Sequence, residues 1–222
     1  RSFVMFAGPP DQSAAWSNSG AEGTFRFLRR LWNWCFKNKE TIETATAIDV
    51  AALSAEQKNL RRDIYQALKQ ATSDIDRMQY NTVVSATMKM LNSLESAKIG
   101  SDASAAAVKK ECASILIRTL YPIAPHITTQ LWQDLGFEAV QGSILDASWP
   151  EVDEKALVAD DMTLVVQVNG KLRGSVTVSA QAAKEEIEKA ALDNENVKKF
   201  TDGKTIRKII IVPKKLVNIV AA

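Results

Sequence analysis

The stretch AAVKKECASILIRTLYPIAPHITTQLWQDLG, residues 106–136, is the part of the sequence that best defines the fold. Its first half repeats apolar residues at helical spacing and keeps cationic residues off that stripe, which predicts a buried helix. Pro122 and Pro125 then interrupt the pattern, because proline lacks an amide donor and disfavours helical geometry in the residue before it. A second helix restarts with Trp132 on its inner side, and Gly136 is placed to end it. Two helices joined at this corner predict a helical bundle.

The composition is that of an ordinary folded chain. With 222 residues, 46% hydrophobic and 24% charged, the chain can bury one large core or two small ones. No apolar run approaches the roughly 18 residues that a membrane helix needs, and no signal-peptide pattern is present, so we expect a cytoplasmic protein. Cys35 and Cys112 both lie among apolar helical positions, which predicts buried free thiols. The sequence opens on Arg1 in the middle of an apolar pattern, which is typical of a piece of a longer protein.

The net charge of +2 is unevenly distributed along the chain. Residues 1–137 carry +3, residues 138–161 carry −6 and residues 162–222 carry +5. The acidic middle segment contains Trp149 and Pro150 but few periodic apolar residues, which is typical of a connector. The sequence therefore predicts two domains joined by an acidic linker at residues 138–161.

The first domain opens with a loop-rich lead-in and a strong helix at residues 22–37. The side of this helix that we assign to the core carries Leu28, Trp32, Cys35 and Phe36. The opposite side carries Arg26, Arg30, Asn33 and Lys37, which are spaced three or four residues apart. This helix is expected to present one apolar face and one cationic face.

A capping box starts the next helix. Ser54 stands at the cap and Gln57 follows three residues later, so that each can satisfy an exposed amide of the first turn. Opposite the buried stripe of this helix lie Lys58, Arg62, Tyr65 and Lys69, which predicts a second basic face with an aromatic residue inside it. A third helix at residues 81–94 closes the bundle.

Beyond the connector the hydrophobic period changes from helical to strand-like. Residues 163–169 and 171–178 are β-branched runs that meet at an Asn-Gly turn signal. A helix is predicted at residues 182–192, and two further strands at 206–212 and 216–220. The small domain is therefore predicted to be α+β, in the order β-β-α-β-β.

The register of the first hairpin depends on the length of its loop. A two-residue loop would place Lys171 and Arg173 on the same face as the apolar residues of the first strand. A three-residue loop, with Gly170 left-handed as a bulge, aligns Leu164 and Val166 with the apolar side of the second strand instead. We therefore predict the three-residue loop, with Lys171 and Arg173 facing outward together.

Four stretches of the sequence resemble one family. They are FVMFAGPPDQSAAWSNSGAEGTFRFLRRLW at residues 3–32, YPIAPHIT at 121–128, VVQVNGKLRGSVTV at 165–178 and IRKIIIVPKKLVNIV at 206–220. Together they resemble the C-terminal part of bacterial leucyl-tRNA synthetases, which belong to class I of the aminoacyl-tRNA synthetases. The chain departs from that family where Lys214 replaces its usual glycine, and where Gly8 and Ala15 replace its usual serine and glutamate.

The resemblance implies a multidomain fold and a division of roles. Residues 1–21 would be the tail of the catalytic region, residues 22–137 an anticodon-binding-like helical bundle, and residues 162–222 an α+β domain. The full-length family members attach leucine to tRNA with ATP, but their His-Ile-Gly-His and Lys-Met-Ser-Lys-Ser signatures do not occur here. The resemblance therefore implies an inactive fragment of a leucine-tRNA ligase, with no catalytic, cofactor-binding or metal-binding residues of its own. Its partners would be tRNA(Leu) and the remainder of a monomeric polypeptide, without a membrane.

The resemblance also implies that this part docks the body and elbow of the tRNA. Lys and Arg contacts to phosphates position an RNA without reading its bases. The candidate tRNA-binding residues are Arg26, Arg29, Arg30, Lys37, Lys58, Arg62, Lys69, Lys171, Arg173, Arg207, Lys208, Lys214 and Lys215.

Two other interpretations fit parts of the sequence. A sister synthetase for valine, isoleucine or methionine would share the helical bundle, although the two C-terminal stretches argue against it. A free-standing helical interaction module would fit the helices equally well. Charged helix faces are also most often only solvated, so the basic faces by themselves do not establish RNA binding.

Overall fold

A computed structural model describes residues 1–158, 161–180, 182–212 and 215–221. The chain divides after Val158 into two units, which are described separately here. The first is helical, and the second is a four-stranded sheet with two helices. This confirms the predicted fold class. In the described residues, no helix has the length and apolar character that crossing a membrane would require.

Seven α-helices and one short 3-10 turn, Val50–Ala52, are described in the first unit. The helices are α1 Ser2–Ala7, α2 Asn18–Thr44, α3 Ala55–Asp76, α4 Tyr80–Ser96, α5 Ala103–Leu120, α6 Pro125–Asp134 and α7 Phe137–Gln141. The predicted capping box starts α3, since the Gln57 amide donates to Ser54 Oγ at 3.2 Å and the Ser54 amide donates to Gln57 Oε1 at 3.0 Å. A short helix, α1, replaces the start of the expected loop-rich lead-in.

The proline corner has the predicted form. α5 ends at Leu120 and α6 restarts with Pro125 in its first turn, where a missing amide donor costs nothing. Gly136 ends the second helix in a left-handed conformation, with φ 76°. Trp132 is fully buried, donates from Nε1 to the Gly142 carbonyl at 2.9 Å and stacks on Phe137. The corner is therefore fixed by both backbone geometry and a buried aromatic pair.

The face that α2 buries differs from the prediction. Its inner stripe runs through Phe27, Leu31 and Trp34, whereas Trp32 is 36% exposed and Phe36 is 75% exposed. The prediction that Trp32 and Phe36 fill the core is wrong. Apolar residues occur on both sides of this helix, so helical spacing alone could not identify the buried side.

The acidic segment belongs to the helical unit over residues 138–158. Ile144 is buried, and the Trp149 indole donates to Thr72 Oγ1 on α3 at 2.9 Å. Arg118 of α5 donates to the Ser148 carbonyl at 3.2 Å. The predicted free connector at residues 138–161 is therefore corrected for its first 21 residues, which pack on α3 and α5. Local periodicity missed this packing because the anchors are single side chains spaced along an irregular segment.

A buried ion cluster joins this segment to the bundle. Arg61, only 4% exposed, donates from Nε and Nη2 to Glu111 of α5 at 2.6 and 2.8 Å. Its Nη2 also reaches Asp153 at 3.2 Å, and the Tyr65 hydroxyl donates to Glu111 at 2.9 Å. The hydrogen bond to Glu111 is the main cause of a raised pKa at Arg61. One guanidinium therefore links α3, α5 and the acidic segment.

The second unit is a mixed sheet with one face covered by helices. Its elements are β1 Asp161–Val168, β2 Lys171–Ser179, α8 Lys184–Asp193, α9 Glu195–Thr201, β3 Ile206–Val212 and β4 Leu216–Ala221. The strand order is β2-β1-β4-β3, with β1 and β4 parallel and the other pairs antiparallel. Leu164, Val166, Val217 and Ile219 face a core closed by Ile187 on α8. Two helices stand where one was predicted.

Asn194 separates the two helices and ties them to the sheet. Its Oδ1 accepts from the amides of Asn196 and Val197, which begins α9, and its Nδ2 donates to the Ser175 carbonyl at 3.0 Å. A Cβ added at Gly174 would lie 3.1 Å from Asn194 Oδ1. Glycine at this position therefore lets the helix junction approach β2 closely.

The first hairpin turns through two residues rather than three. Val168 pairs with Lys171, and both Asn169 and Gly170 have positive φ, 50° and 76°, as a primed two-residue turn requires. The predicted three-residue loop is wrong. The register shifts after Val166, which pairs with Gly174, so that Arg173 is an extra residue in β2. This bulge keeps Leu164 and Val166 on the core side without lengthening the turn.

We predict that Arg61→Ala destabilises the helical unit strongly, because it leaves Glu111 partly buried without its main partner. Removing one member of a buried ion pair lowers the free energy of unfolding by about 3 kcal/mol or more. Urea denaturation of the 222-residue chain measures this change. Arg62→Ala, one residue away and hydrogen-bonded to Asn59, is the matched control and should change the free energy by less than about 0.5 kcal/mol. Equal effects of the two substitutions would contradict the role of Arg61.

Candidate nucleic-acid interface

The cationic candidates on α2 lie on its solvent side. Arg26, Arg29, Arg30 and Lys37 are all exposed. Arg26, Arg30 and Lys37 lie in one line, since steps of four and seven residues return close to the same side of a helix. Arg30 is already engaged, because its guanidinium donates to the Glu95 carboxylate and, at 2.7 Å, to Asn92 Oδ1. The bond to Glu95 raises the pKa of Arg30.

The candidates on α3 are more constrained than the sequence suggests. Lys69 Nζ lies 2.8 Å from Glu154 Oε1 of the acidic segment, and Arg62 donates to Asn59 at 2.6 Å. Lys58 is half-buried and also has an interaction partner. The acidic segment therefore occupies part of the basic face that was predicted on this helix.

Tyr65 does not belong to an exposed basic face. Its side chain is buried, and burial is the largest cause of its raised pKa, followed by the charge and hydrogen bonding of Glu111. The placement of Tyr65 among exposed cations is therefore wrong. The role of Arg61 could not be predicted from the sequence, because its position next to the charged Arg62 does not indicate burial.

In the second unit, the cationic candidates lie in separate places on the sheet. Lys171 is on β2, while Arg207 and Lys208 are on β3, at the opposite edge. Lys171 pairs with Val168 and Lys208 pairs with Val220, so the two lysines lie at the same end of the sheet but on opposite edge strands. Three strand spacings, about 14 Å, separate these edges. The single compact patch expected from the sequence is thus divided.

Lys215 lies apart from the other described cationic candidates of the second unit. Lys215 is exposed and lies before β4, at the other end of the sheet from Lys171, because its carbonyl accepts from the Val165 amide. Lys214 lies outside the described residues.

Arg173 points toward α9 rather than outward. As the extra residue of the bulge, it places its guanidinium over the Phe200 ring, with Cζ 3.7 Å from the ring centroid. Its Nε is buried without a hydrogen-bond partner in the described structure. The outward orientation predicted for Arg173 is wrong, and Phe200 is a residue of this region that the sequence analysis did not identify.

A polar cavity of about 870 Å³ lies between α3 and α4, and residues such as Asp63, Gln70 and Lys89 line it. Across residues 1–158 and the described parts of the second unit, no group of three His, Cys, Asp or Glu side chains is arranged to hold a metal ion. The exposed cations remain as candidates for contacts with nucleic acid.

The chain belongs to a known family. Residues 57–189, more than half of the chain, match the family described as "Anticodon-binding domain of tRNA ligase".

Individual relatives extend this match to the whole chain. The leucine-tRNA ligase of Methylibium petroleiphilum is 54% identical over 220 residues, which is 99% of this chain and 24% of that protein. The leucine-tRNA ligase of Bordetella pertussis is 52% identical over 222 residues, 99% of this chain and 25% of that protein. These relatives confirm the resemblance drawn from the sequence. The chain spans about a quarter of the length of the curated relatives it matches.

A solved structure shares the fold. The agnB2 LeuRS of Agrobacterium radiobacter K84, crystallised as a LeuRS-tRNA-LeuAMS ternary complex, matches all of this chain and 28% of its own. The TM-score is 0.74 at 24% sequence identity. This similarity establishes a shared fold.

Both cysteines are free and buried, as predicted. Burial raises the pKa of the Cys35 thiol to about 12 and also raises that of Cys112. Only a thiolate reacts rapidly with a disulfide reagent, so a raised pKa keeps both groups unreactive near pH 8.

We predict that neither thiol of the native chain reacts with Ellman's reagent within minutes at pH 8, and that both react at once in urea. The absorbance of the released thiolate measures the reaction. Because the pKa of Cys35 is raised, the native reaction should become faster only as the pH approaches 12. A full equivalent of native reaction at pH 8 would contradict the burial of these thiols.

Proposed function

We propose that the 222 residues are the tRNA-docking, C-terminal part of a cytoplasmic leucine-tRNA ligase. The observation that carries this proposal is identity above 50% over nearly the whole chain to leucine-tRNA ligases that are about four times longer. The longer polypeptide would attach leucine to tRNA(Leu) with ATP, as a monomer. The part described here would hold the RNA while the chemistry takes place elsewhere in that polypeptide.

The docking role rests on exposed cations to which the described part of the chain supplies no carboxylate partner. Among the ion pairs of the described residues, none involves Arg26, Arg29 or Lys37 on α2. The same holds for the cations at the two edges of the sheet, Lys171 and Lys208. A cation without a protein partner can bind an RNA phosphate without first breaking an ion pair. We therefore favour these residues over Arg30 and Lys69 as the main phosphate contacts.

The arrangement of these residues favours recognition of RNA shape. Arginine and lysine contacts to phosphates fix the position of a folded RNA but carry no sequence information. A cation can bind a phosphate without the bidentate geometry that reading a base edge requires. We propose that the small unit, residues 162–222, adds a second set of backbone contacts to those of the helical unit.

The proposal predicts a specific salt dependence. Arg207→Ala with Lys208→Ala removes two cations from the β3 edge, so the slope of log affinity against log salt should fall by roughly 1.8, about 0.9 for each lost phosphate contact. The measurement is the affinity of the 222-residue chain for a leucine-accepting tRNA across a salt series. The loss should be similar for other folded tRNAs, because backbone contacts do not depend on sequence.

Lys184→Ala with Lys189→Ala on α8 is the matched control, since it removes the same charge from another surface of the same unit. Its slope should stay close to that of the unchanged chain. If the β3 variant keeps its affinity and slope while it remains folded, RNA does not cross that edge. If the chain binds no tRNA at all, the docking function itself is wrong.

A further inference from the structure

An exposed aromatic stripe on α2 has no partner in the function proposed so far. Phe25 is 64% exposed, Trp32 36% and Phe36 75%. Trp32 and Phe36 follow Phe25 by seven and eleven residues, so each lies within about 20° of Phe25 around the helix axis. The three side chains span roughly 16 Å along the helix. We refer to these three residues as the aromatic stripe. Monomeric proteins rarely expose several large apolar side chains side by side unless the surface binds something.

A small hollow lies beside the stripe. Its volume is about 190 Å³, and its walls combine Trp32 and Phe36 with Leu131 of α6 and Leu135, which directly follows that helix. Lys39 and Asp134 are the two charged residues among those that line it. An apolar hollow of this size suits one apolar side chain, and the flanking aromatics would seal it from water as in the centre of a protein interface.

We infer that the stripe and its hollow dock an apolar segment of the same polypeptide that lies outside these 222 residues. This inference rests on the proposed function, because it requires the longer ligase. The relatives are about four times as long as the chain, and the chain matches their C-terminal part. Most of such a polypeptide would therefore precede α1 and α2.

RNA is a less suitable occupant of the same surface. A stacking platform for bases normally combines aromatics with a cationic groove along the RNA backbone. Here Lys39 and Asp134 both line the hollow, so their charges balance, and the rest of its lining is apolar. Of the α2 cations favoured as phosphate contacts, Arg26 and Lys37 lie about 100° around the helix from the stripe, whereas Arg29 lies only about 40° from Phe25. RNA bound along the line of Arg26 and Lys37 would leave the stripe and its hollow available to protein.

Thiol labelling tests the inference. Phe36→Cys places a reactive group on the stripe, and Val140→Cys, at an 81% exposed position of α7, is the matched control. The native Cys35 and Cys112 are buried and give little background. Peptide mass spectrometry measures the rate of maleimide labelling at each site, in the 222-residue chain and in the longer polypeptide. Each rate is divided by the rate for the same site in urea.

The expected result is fast labelling of both sites in the 222-residue chain and at least tenfold slower labelling of Phe36→Cys in the longer polypeptide. Val140→Cys should label at the same rate in both. Equal labelling of Phe36→Cys in the two contexts would overturn the inference. So would equal slowing at both sites, which would report a general loss of access.

Other occupants give distinct outcomes. If Phe36→Cys is labelled slowly already in the isolated 222-residue chain, the chain itself or a second copy covers the stripe. This result would overturn the inference. Slowing of that labelling by added tRNA would overturn it in favour of RNA. Leucylation of tRNA by the same longer polypeptide tests the proposed function separately. If the polypeptide is active but its stripe is not protected, only the inference about the stripe is contradicted.

Discussion

The helical unit depends on the buried guanidinium of Arg61. It binds Glu111 through two nitrogens and reaches Asp153, so three parts of the chain that are distant in sequence meet at one charge. Burying a charge is favourable only when its hydrogen-bond partners are in place. This requirement fixes α3 against α5 and holds the acidic segment on both of them. Tyr65 completes the cluster by donating to the same glutamate.

This cluster also affects the electrostatics of the surface. By holding Asp153 in place it brings the neighbouring Glu154 to Lys69, which neutralises a cation that the sequence suggests is free. Lys69 is thereby less available for binding RNA than the exposed cations of α2, such as Arg26 and Lys37. Charge along the sequence and charge on the surface consequently differ, because a compact acidic segment can fold back onto a basic helix.

Most of the fold could be predicted because its signals are local. The Ser54 capping box, the Pro125 helix start and the left-handed Gly136 each act within a few residues, and strand alternation identified all four strands. The aromatic stripe on α2 could not be predicted, because apolar residues on both sides of a helix leave its buried face undecided. Only packing against the other helices selects Trp34 over Trp32.

The candidate site was predicted as a set of residues but not as an arrangement. The position of Arg173 depends on a bulge in β2 and on the ring of Phe200, which lies 27 residues further along the chain. The separation of Lys171 from Lys208 follows from a strand order that places β1 and β4 between them. Neither the position of Arg173 nor the separation of Lys171 from Lys208 could be predicted from local sequence, because both arise from long-range contacts.

Hydroxyl-radical footprinting of a leucine-accepting tRNA by the 222-residue chain tests most directly whether this part of the protein docks RNA by its shape. The account predicts protection of backbone sugars on the body and elbow of the tRNA, unchanged when the anticodon bases are replaced. A tRNA that shows no protection, or protection confined to the anticodon loop, would contradict it.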